Sequence, residues 1–160
     1  MEGGAAVDAR TFQTEALKIE KLLYHISYAM LRNESDCEDA VQEALAKAWA
    51  KRGRPDAAYF RPWLMRILIN ECHNLNRRRK RVIPMPEVEP SAPGVPPDLG
   101  LSEALSALPE RLRVPLLLHH LEGFSVAEVA RITHVPEGTV KSRLHQARER
   151  LRDEWEVRGE

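Results

Sequence analysis

The sequence predicts an all-α protein made of two small helical domains on either side of a proline-rich linker. Three observations carry that expectation. Apolar residues recur at steps of three and four along most of the chain, the period of helices buried on one face. Six of the eleven prolines fall between Pro84 and Asp98, a composition that cannot pack a core and favours an extended tether. From Ser125 to Arg152 a capped helix, a tight turn and a second, basic helix follow one another, the pattern of a helix-turn-helix. The expected boundaries are 10–83 for the first domain, 84–98 for the linker and 99–156 for the second. With 160 residues in all, each domain is near the lower size limit for a self-sufficient core.

The first helix is expected from about Thr11 to Arg32, with Ala16, Ile19, Leu23, Ile26 and Met30 on its apolar side. Asn33 and Glu34 interrupt it. Ser35 and Glu38 have capping-box spacing for a second helix to about Arg52, ended by Gly53 and Pro55. Val41, Leu45, Ala48 and Trp49 are expected on its buried side, and Asp36, Glu38 and Asp39 suit the helix dipole in its first turn. Asp56 can cap a third helix that carries Pro62 in its first turn, where a missing N–H costs little. Trp63, Leu64, Ile67, Leu68 and Leu75 form its inward side, and it runs into five consecutive basic residues, Arg77 to Arg81. A charge run is often only a solvated face. Following an aromatic-bearing amphipathic helix, it also suits a grip on backbone phosphates beside unstacked bases.

Beyond the linker, Leu101, Leu105 and Leu108 mark a short helix. Pro109 restarts the chain as a first-turn proline, and Leu112, Leu116, Leu117 and Leu121 provide a supporting face that Pro115 should bend. Gly123 is the expected C-terminal cap. Ser125 and Glu128 then form a capping box, Val126, Val129, Ala130 and Ile132 the apolar side of the next helix, and Thr133, His134 and Val135 the turn, with Pro136 opening the last helix near Glu137. On that helix Val140, Leu144, Ala147 and Leu151 make one narrow stripe. Lys141, His145, Arg148 and Arg152 line one flank, Arg143 and Arg150 the other, with Ser142 and Gln146 between. From Thr139 to Arg152 five basic residues face one acidic, a local net charge of +4. A helix of this kind can lie in a major groove, reaching base edges and phosphates. A solvated amphipathic helix has the same length and polar composition.

Total charge is zero, so any nucleic-acid surface must arise from uneven distribution. Two cysteines, Cys37 and Cys72, lack a CxxC pattern, and a zinc site would need Cys72 and His73 joined by Cys37 or by His119 and His120. No metal or other cofactor is expected. The N-terminus lacks a signal-peptide pattern and no apolar run approaches a membrane span, so a soluble, cytoplasmic protein without membrane insertion is expected. No phosphate-binding glycine loop, nucleophile elbow or HExxH appears, and an enzyme is not expected. A self-sufficient DNA-binding regulator would need a dimer face and an effector pocket or receiver, and neither is visible; the expected free state is a monomer.

Specific words sharpen this reading. Leu108-Pro109-Glu110-Arg111, Leu121-Glu122-Gly123-Phe124-Ser125 and Gly138-Thr139-Val140-Lys141-Ser142-Arg143-Leu144 resemble region 4 of bacterial sigma factors of the sigma-70 family, extracytoplasmic-function group. Asp36-Cys37-Glu38-Asp39-Ala40-Val41-Gln42-Glu43-Ala44-Leu45, ending in Ala48-Trp49, is similar to region 2.2. Phe60 to Asn70, ending in Arg77-Arg78-Arg79, is similar to regions 2.3 and 2.4.

The resemblance implies a sigma factor directing transcription initiation at specific promoters in response to an environmental or envelope stress signal. It implies docking on core RNA polymerase through Asp39, Gln42 and Glu43. Asn70, Asn74, Arg77 and Arg78 would contact single-stranded minus-10 DNA, with Trp63 in the core. Thr139, Lys141, Ser142, Arg143, His145, Gln146 and Arg148 would read the double-stranded minus-35 element. An anti-sigma factor is a further implied partner, and the acidic linker residues Glu87, Glu89 and Asp98 would suit a path taken by nascent RNA.

The chain departs from the family's usual words at four places. Leu68-Ile69 precede Asn70 where Ala-Arg is usual, and Asn74 stands where an aspartate is usual. His134 replaces a turn glycine, which predicts a left-handed residue there. Gln146 replaces a common arginine and could pair with adenine instead of guanine.

Overall fold

A computed structural model describes residues 7–55, 57–82 and 101–158. Seven α-helices are present among them: α1 (Ala9–Leu31), α2 (Glu34–Ala50), α3 (Phe60–Val82), α4 (Leu101–Ala107), α5 (Glu110–Leu116), α6 (Val126–Thr133) and α7 (Glu137–Arg158). A 3-10 turn over Ala57–Tyr59 leads into α3, and a π turn over Leu117–Leu121 extends α5. The proposed Asp56 cap and the linker lie outside the described residues. None of the described helices is long and apolar enough to cross a membrane.

Helices α1, α2 and α3 pack on one another to form the first domain. The side chain of Asp8 caps α1, accepting from Thr11 N at 2.7 Å. At the other end Arg32 takes a left-handed conformation, φ 53°, and its N–H closes the last turn on Tyr28 O. That turn leaves Asn33 extended, so its side chain accepts from Asp36 N at 3.0 Å. Asn33 is therefore the cap of α2 and Ser35 lies inside the helix, a correction to the expected Ser35–Glu38 box.

The buried side of α2 also differs from expectation. Cys37, Ala40, Val41, Ala44 and Ala48 are buried, whereas Leu45 is half-buried and Trp49 is 42% exposed. Ala40, Ala44 and Ala48 form a small-residue stripe one helical turn apart, which lets neighbouring helices approach closely. Against it stand Phe60, Leu64, Met65 and Leu68 of α3 and Ile19, Leu23 and Ile26 of α1, all essentially inaccessible. Each such side chain contributes about 1.5–3 kcal/mol by leaving water. Trp63 and Ile67 are only half-buried, and Trp63 packs against Phe60 with ring centroids 6.0 Å apart.

In the second domain Pro109 sits at the cap position of α5, just outside its first turn. Pro115 has no N–H to bond back to Arg111, and the helix responds by widening where a simple bend was expected. Glu122 N donates to Leu117 O at 3.3 Å, five residues back. The extra residue in this turn shifts the apolar register: Leu118 is fully buried and Leu121 is 65% exposed, so Leu121 does not join the supporting face as expected. Gly123, φ 73°, ends the turn in the left-handed region.

The helix-turn-helix follows the sequence closely. Glu128 N donates to Ser125 Oγ at 3.1 Å and Ser125 N to Glu128 Oε1 at 2.9 Å, completing the capping box. His134 is left-handed, φ 62°, with its N–H on Ala130 O. Val140, Leu144 and Ala147 of α7 are buried beneath α5 and α6.

The two domains touch. α3 packs on α6 and α1 on α5, and the buried core continues from one domain into the other.

Candidate functional site

Three surfaces hold the residues singled out by sequence. The first is the outer face of α2, where Asp39, Gln42 and Glu43 are all exposed. Their spacings of three and four place them side by side, over the buried stripe that fixes the helix on α1 and α3. The result is a rigid acidic and amide patch.

The second surface adjoins it. Asp39, Glu43 and Lys47 of α2 line an open polar groove with Glu71, Asn74, Arg77 and Arg78 of α3. Thus two of the three residues assigned to polymerase, Asp39 and Glu43, and three of the four assigned to minus-10 DNA share one groove, with carboxylates on its α2 rim facing the guanidinium groups of Arg77 and Arg78 on its α3 rim. Sequence spacing within either helix could not show this. Glu71 and Lys47 were also missed. Glu71 is 5% exposed and pairs with Lys47, whose pKa is held above its ordinary value chiefly by the hydrogen bond to that carboxylate. Glu71 is the one acidic residue of α3, and that was the available signal.

The basic run is not uniform. Arg77 donates to Asn74 Oδ1, so these two candidates form one unit. Arg79 instead pairs with Asp36 in the first turn of α2 and is half-buried. It ties α2 to α3. Arg77 and Arg78 are exposed.

Asn70 lies elsewhere. It is exposed and falls on one stripe of α3 with Arg66 and His73, and both flanking residues reach the second domain. Arg66 Nη2 lies 3.3 Å from His134 Nδ1, and His73 Nδ1 lies 3.9 Å from Glu110 Oε1. Arg61 stands 5.3 Å from the Phe124 ring centroid, and Arg131 of α6 stands 5.7 Å from that of Tyr59. The face of α3 that carries Asn70 is therefore bordered by the second domain.

The third surface is α7. Lys141, Ser142, His145, Gln146 and Arg148 are exposed, and Thr139 and Arg143 are half-buried. His145 pairs with Glu149 one turn on at 3.4 Å. Arg148 Nε donates to His120 Nε2 at 3.1 Å. The capping box of α6 and the left-handed His134 set the angle at which this polar face is presented.

The cysteines join none of these surfaces. Both are buried, and burial pushes both thiols above their ordinary range, which disfavours the thiolate needed for reaction or metal binding. No cluster of three or more His, Cys, Asp or Glu side chains is placed to hold a metal among the described residues.

Comparison with known proteins gives the family of both helical units. The family described as "Sigma-70 region 2" matches residues 17–82, and "Sigma-70, region 4" matches residues 99–151. The chain is 34% identical over 153 residues to the ECF RNA polymerase sigma factor SigM of Mycobacterium tuberculosis, covering 91% of this chain and 78% of that protein. It is 35% identical over 138 residues to the ECF RNA polymerase sigma-E factor of Escherichia coli, covering 72% of each. Among solved structures, sigma factor RpoE of Bartonella quintana, in complex with the anti-sigma factor NepR, superimposes with a TM-score of 0.75 at 30% identity, covering 91% of this chain and 97% of that one. CnrH, in complex with the cytosolic domain of CnrY, gives a TM-score of 0.67 at 21% identity over 94% and 90%, a likeness of fold.

Proposed function

The chain belongs to the extracytoplasmic-function group of the sigma-70 family and is a sigma factor acting in transcription initiation, and from that premise we propose how its surfaces divide the work. Asp39, Gln42 and Glu43 dock on core RNA polymerase. Asn74, Arg77 and Arg78 hold single-stranded minus-10 DNA along the basic rim of the α2–α3 groove, with Asn70 joining them once the second domain moves off its face of α3. Thr139, Lys141, Ser142, Arg143, His145, Gln146 and Arg148 read the minus-35 duplex from the exposed side of α7.

The observation that carries the reading is the state of α7. Its apolar stripe is buried on a complete helix-turn-helix, and its polar side, with a local charge of +4 from Thr139 to Arg152, faces outward. Guanidinium and ammonium groups on such a face neutralise phosphates, while Gln146 offers paired donor and acceptor atoms for a base edge.

The net charge of zero supports dependence on the polymerase, since the chain alone carries no general excess of charge to hold DNA. The anti-sigma complex of RpoE supports an anti-sigma partner for this chain and release by a stress signal. Action in the cytoplasm follows from the polymerase as partner.

The test is Lys141→Ala in holoenzyme assembled with core polymerase, on a promoter recovered by the wild type from a pool randomised at minus-35. Binding should weaken, with a salt slope smaller by about 1, while capture by core polymerase is unchanged. Loss of holoenzyme assembly would overturn the assignment of α7.

A further inference from the structure

The basic flank of α7 is supported from behind at Arg148. Because arginine only donates, the 3.1 Å bond from its Nε makes His120 Nε2 an acceptor, which requires a neutral ring with its proton on Nδ1. Next to it, His119 Nδ1 lies 2.8 Å from the carbonyl oxygen of Phe124. A carbonyl only accepts, so His119 carries its proton on that nitrogen. The two rings meet edge to face, 4.9 Å between centroids. A relay of contacts therefore runs from the Phe124 backbone through His119 and His120 to Arg148.

The relay depends on the π turn. Pro115 interrupts the hydrogen-bond ladder of α5, and the wider turn that follows buries Leu118 and leaves His120 exposed beside α7. Turns of this kind frequently stand at functional sites.

We propose that His120 is a positioning residue for DNA recognition: by accepting from Arg148 Nε, it presents the Nη1 and Nη2 edge of that guanidinium to the minus-35 duplex. This inference rests on the reading of α7 as the minus-35 helix. That edge is suited to paired bonds with guanine O6 and N7 or with a phosphate. A long side chain held in one orientation before binding loses less freedom on binding. The charged and titratable neighbours of His120 are Arg148 from α7 and His119 on its own turn, and together with burial, the largest cause, they hold its pKa below the ordinary value. The accepting, neutral form is therefore the one present at neutral pH.

The test uses full-length chain assembled with core RNA polymerase and a duplex recovered by wild-type holoenzyme from a pool randomised at minus-35. His120→Ala should weaken binding about three- to tenfold, the effect of one hydrogen bond. The same change should cost nothing further in an Arg148→Ala background. His120→Gln, whose Oε1 can accept, should recover most of the loss. Equal losses in both backgrounds, or no recovery by glutamine, would overturn the positioning role and leave α7 as the minus-35 helix. An Arg148→Ala protein that binds as the wild type would remove Arg148 from the interface, and the proposal with it.

Discussion

Arg113 reaches out of α5 into the first domain, where its Nη2 donates to the carbonyl of Ala29 at 2.6 Å. Its Nη1 meanwhile donates to Leu108 O at 2.9 Å and Ser106 O at 3.2 Å. Ser106 O also accepts from Arg32 Nη2, at 2.8 Å, across the same boundary. Ala29 and Ser106 stand in the last turns of α1 and α4, where unpaired carbonyls carry partial negative charge and favour cations. Burial pulls the Arg113 pKa down to about 10, with the charge of Arg32 acting the same way, so it remains cationic at neutral pH. Two arginines thus bind the ends of two helices to each other and close the domains together.

Arg32 allows this contact to be separated from stability. A side chain in the left-handed region costs about 1–2 kcal/mol relative to ordinary helical backbone, and glycine removes that cost. Arg32→Gly should therefore leave the thermal midpoint of the chain unchanged or higher while opening the domains. Small-angle scattering should give a larger radius of gyration than the wild type. A lower midpoint with an unchanged radius would contradict the assignment.

The π turn makes its own prediction. Leu118 is fully buried and Leu121 is 65% exposed. Leu118→Ala should cost about 2–5 kcal/mol in urea unfolding, and Leu121→Ala less than about 0.5 kcal/mol. The reverse order would mean that α5 continues in ordinary α register.

The basic run should divide by role. Arg77→Ala with Arg78→Ala should impair open-complex formation more than initial docking, and the salt slope for single-stranded minus-10 DNA should fall by about 0.7 per lost phosphate contact. Arg79→Ala should chiefly lower stability, by on the order of 1 kcal/mol for a partly exposed pair. Permanganate footprinting and thermal melting separate the two. Equal loss of docking and opening in the Arg77/Arg78 variant would contradict a single-strand role.

Acid should act on His120. Its folded pKa lies below the ordinary 6.5, so the unfolded chain binds its proton more readily. Stability from this group is fully present above pH 6.5 and is lost as the pH falls through the folded value. Over the same window the protonated ring can no longer accept from Arg148. Minus-35 affinity should weaken on acidification in the wild type and much less in His120→Gln. The same pH profile in both proteins would show that another group titrates.

Much of this was legible in the sequence because the governing forces are local. Apolar spacing located the seven helices, and the Ser125–Glu128 box needed only its own four residues; the left-handed His134 followed instead from the resemblance, which puts a glycine at that turn. Misjudged positions depended on neighbours. Asn33 displaced Ser35 as a cap because Arg32 turned left-handed just before it. Leu121 left the core because Pro115 inserted a π turn. Trp49 stayed partly exposed because the Ala40, Ala44 and Ala48 stripe brings the helices together on another side. The candidate site residues were read one helix at a time, so the shared α2–α3 groove, the Glu71–Lys47 pair and the Arg148–His120 bond, all products of tertiary packing, were out of reach.

The most direct measurement is capture of the full-length chain by core RNA polymerase, with Asp39→Ala/Gln42→Ala/Glu43→Ala beside the wild type. All three side chains are exposed on α2, so the variant should keep its helical circular dichroism. Stoichiometric capture of the wild type and loss in the folded variant is the predicted result. Equal capture of both proteins would contradict the docking face, and no capture of a wild type freed of any anti-sigma partner would contradict the division of surfaces built on it.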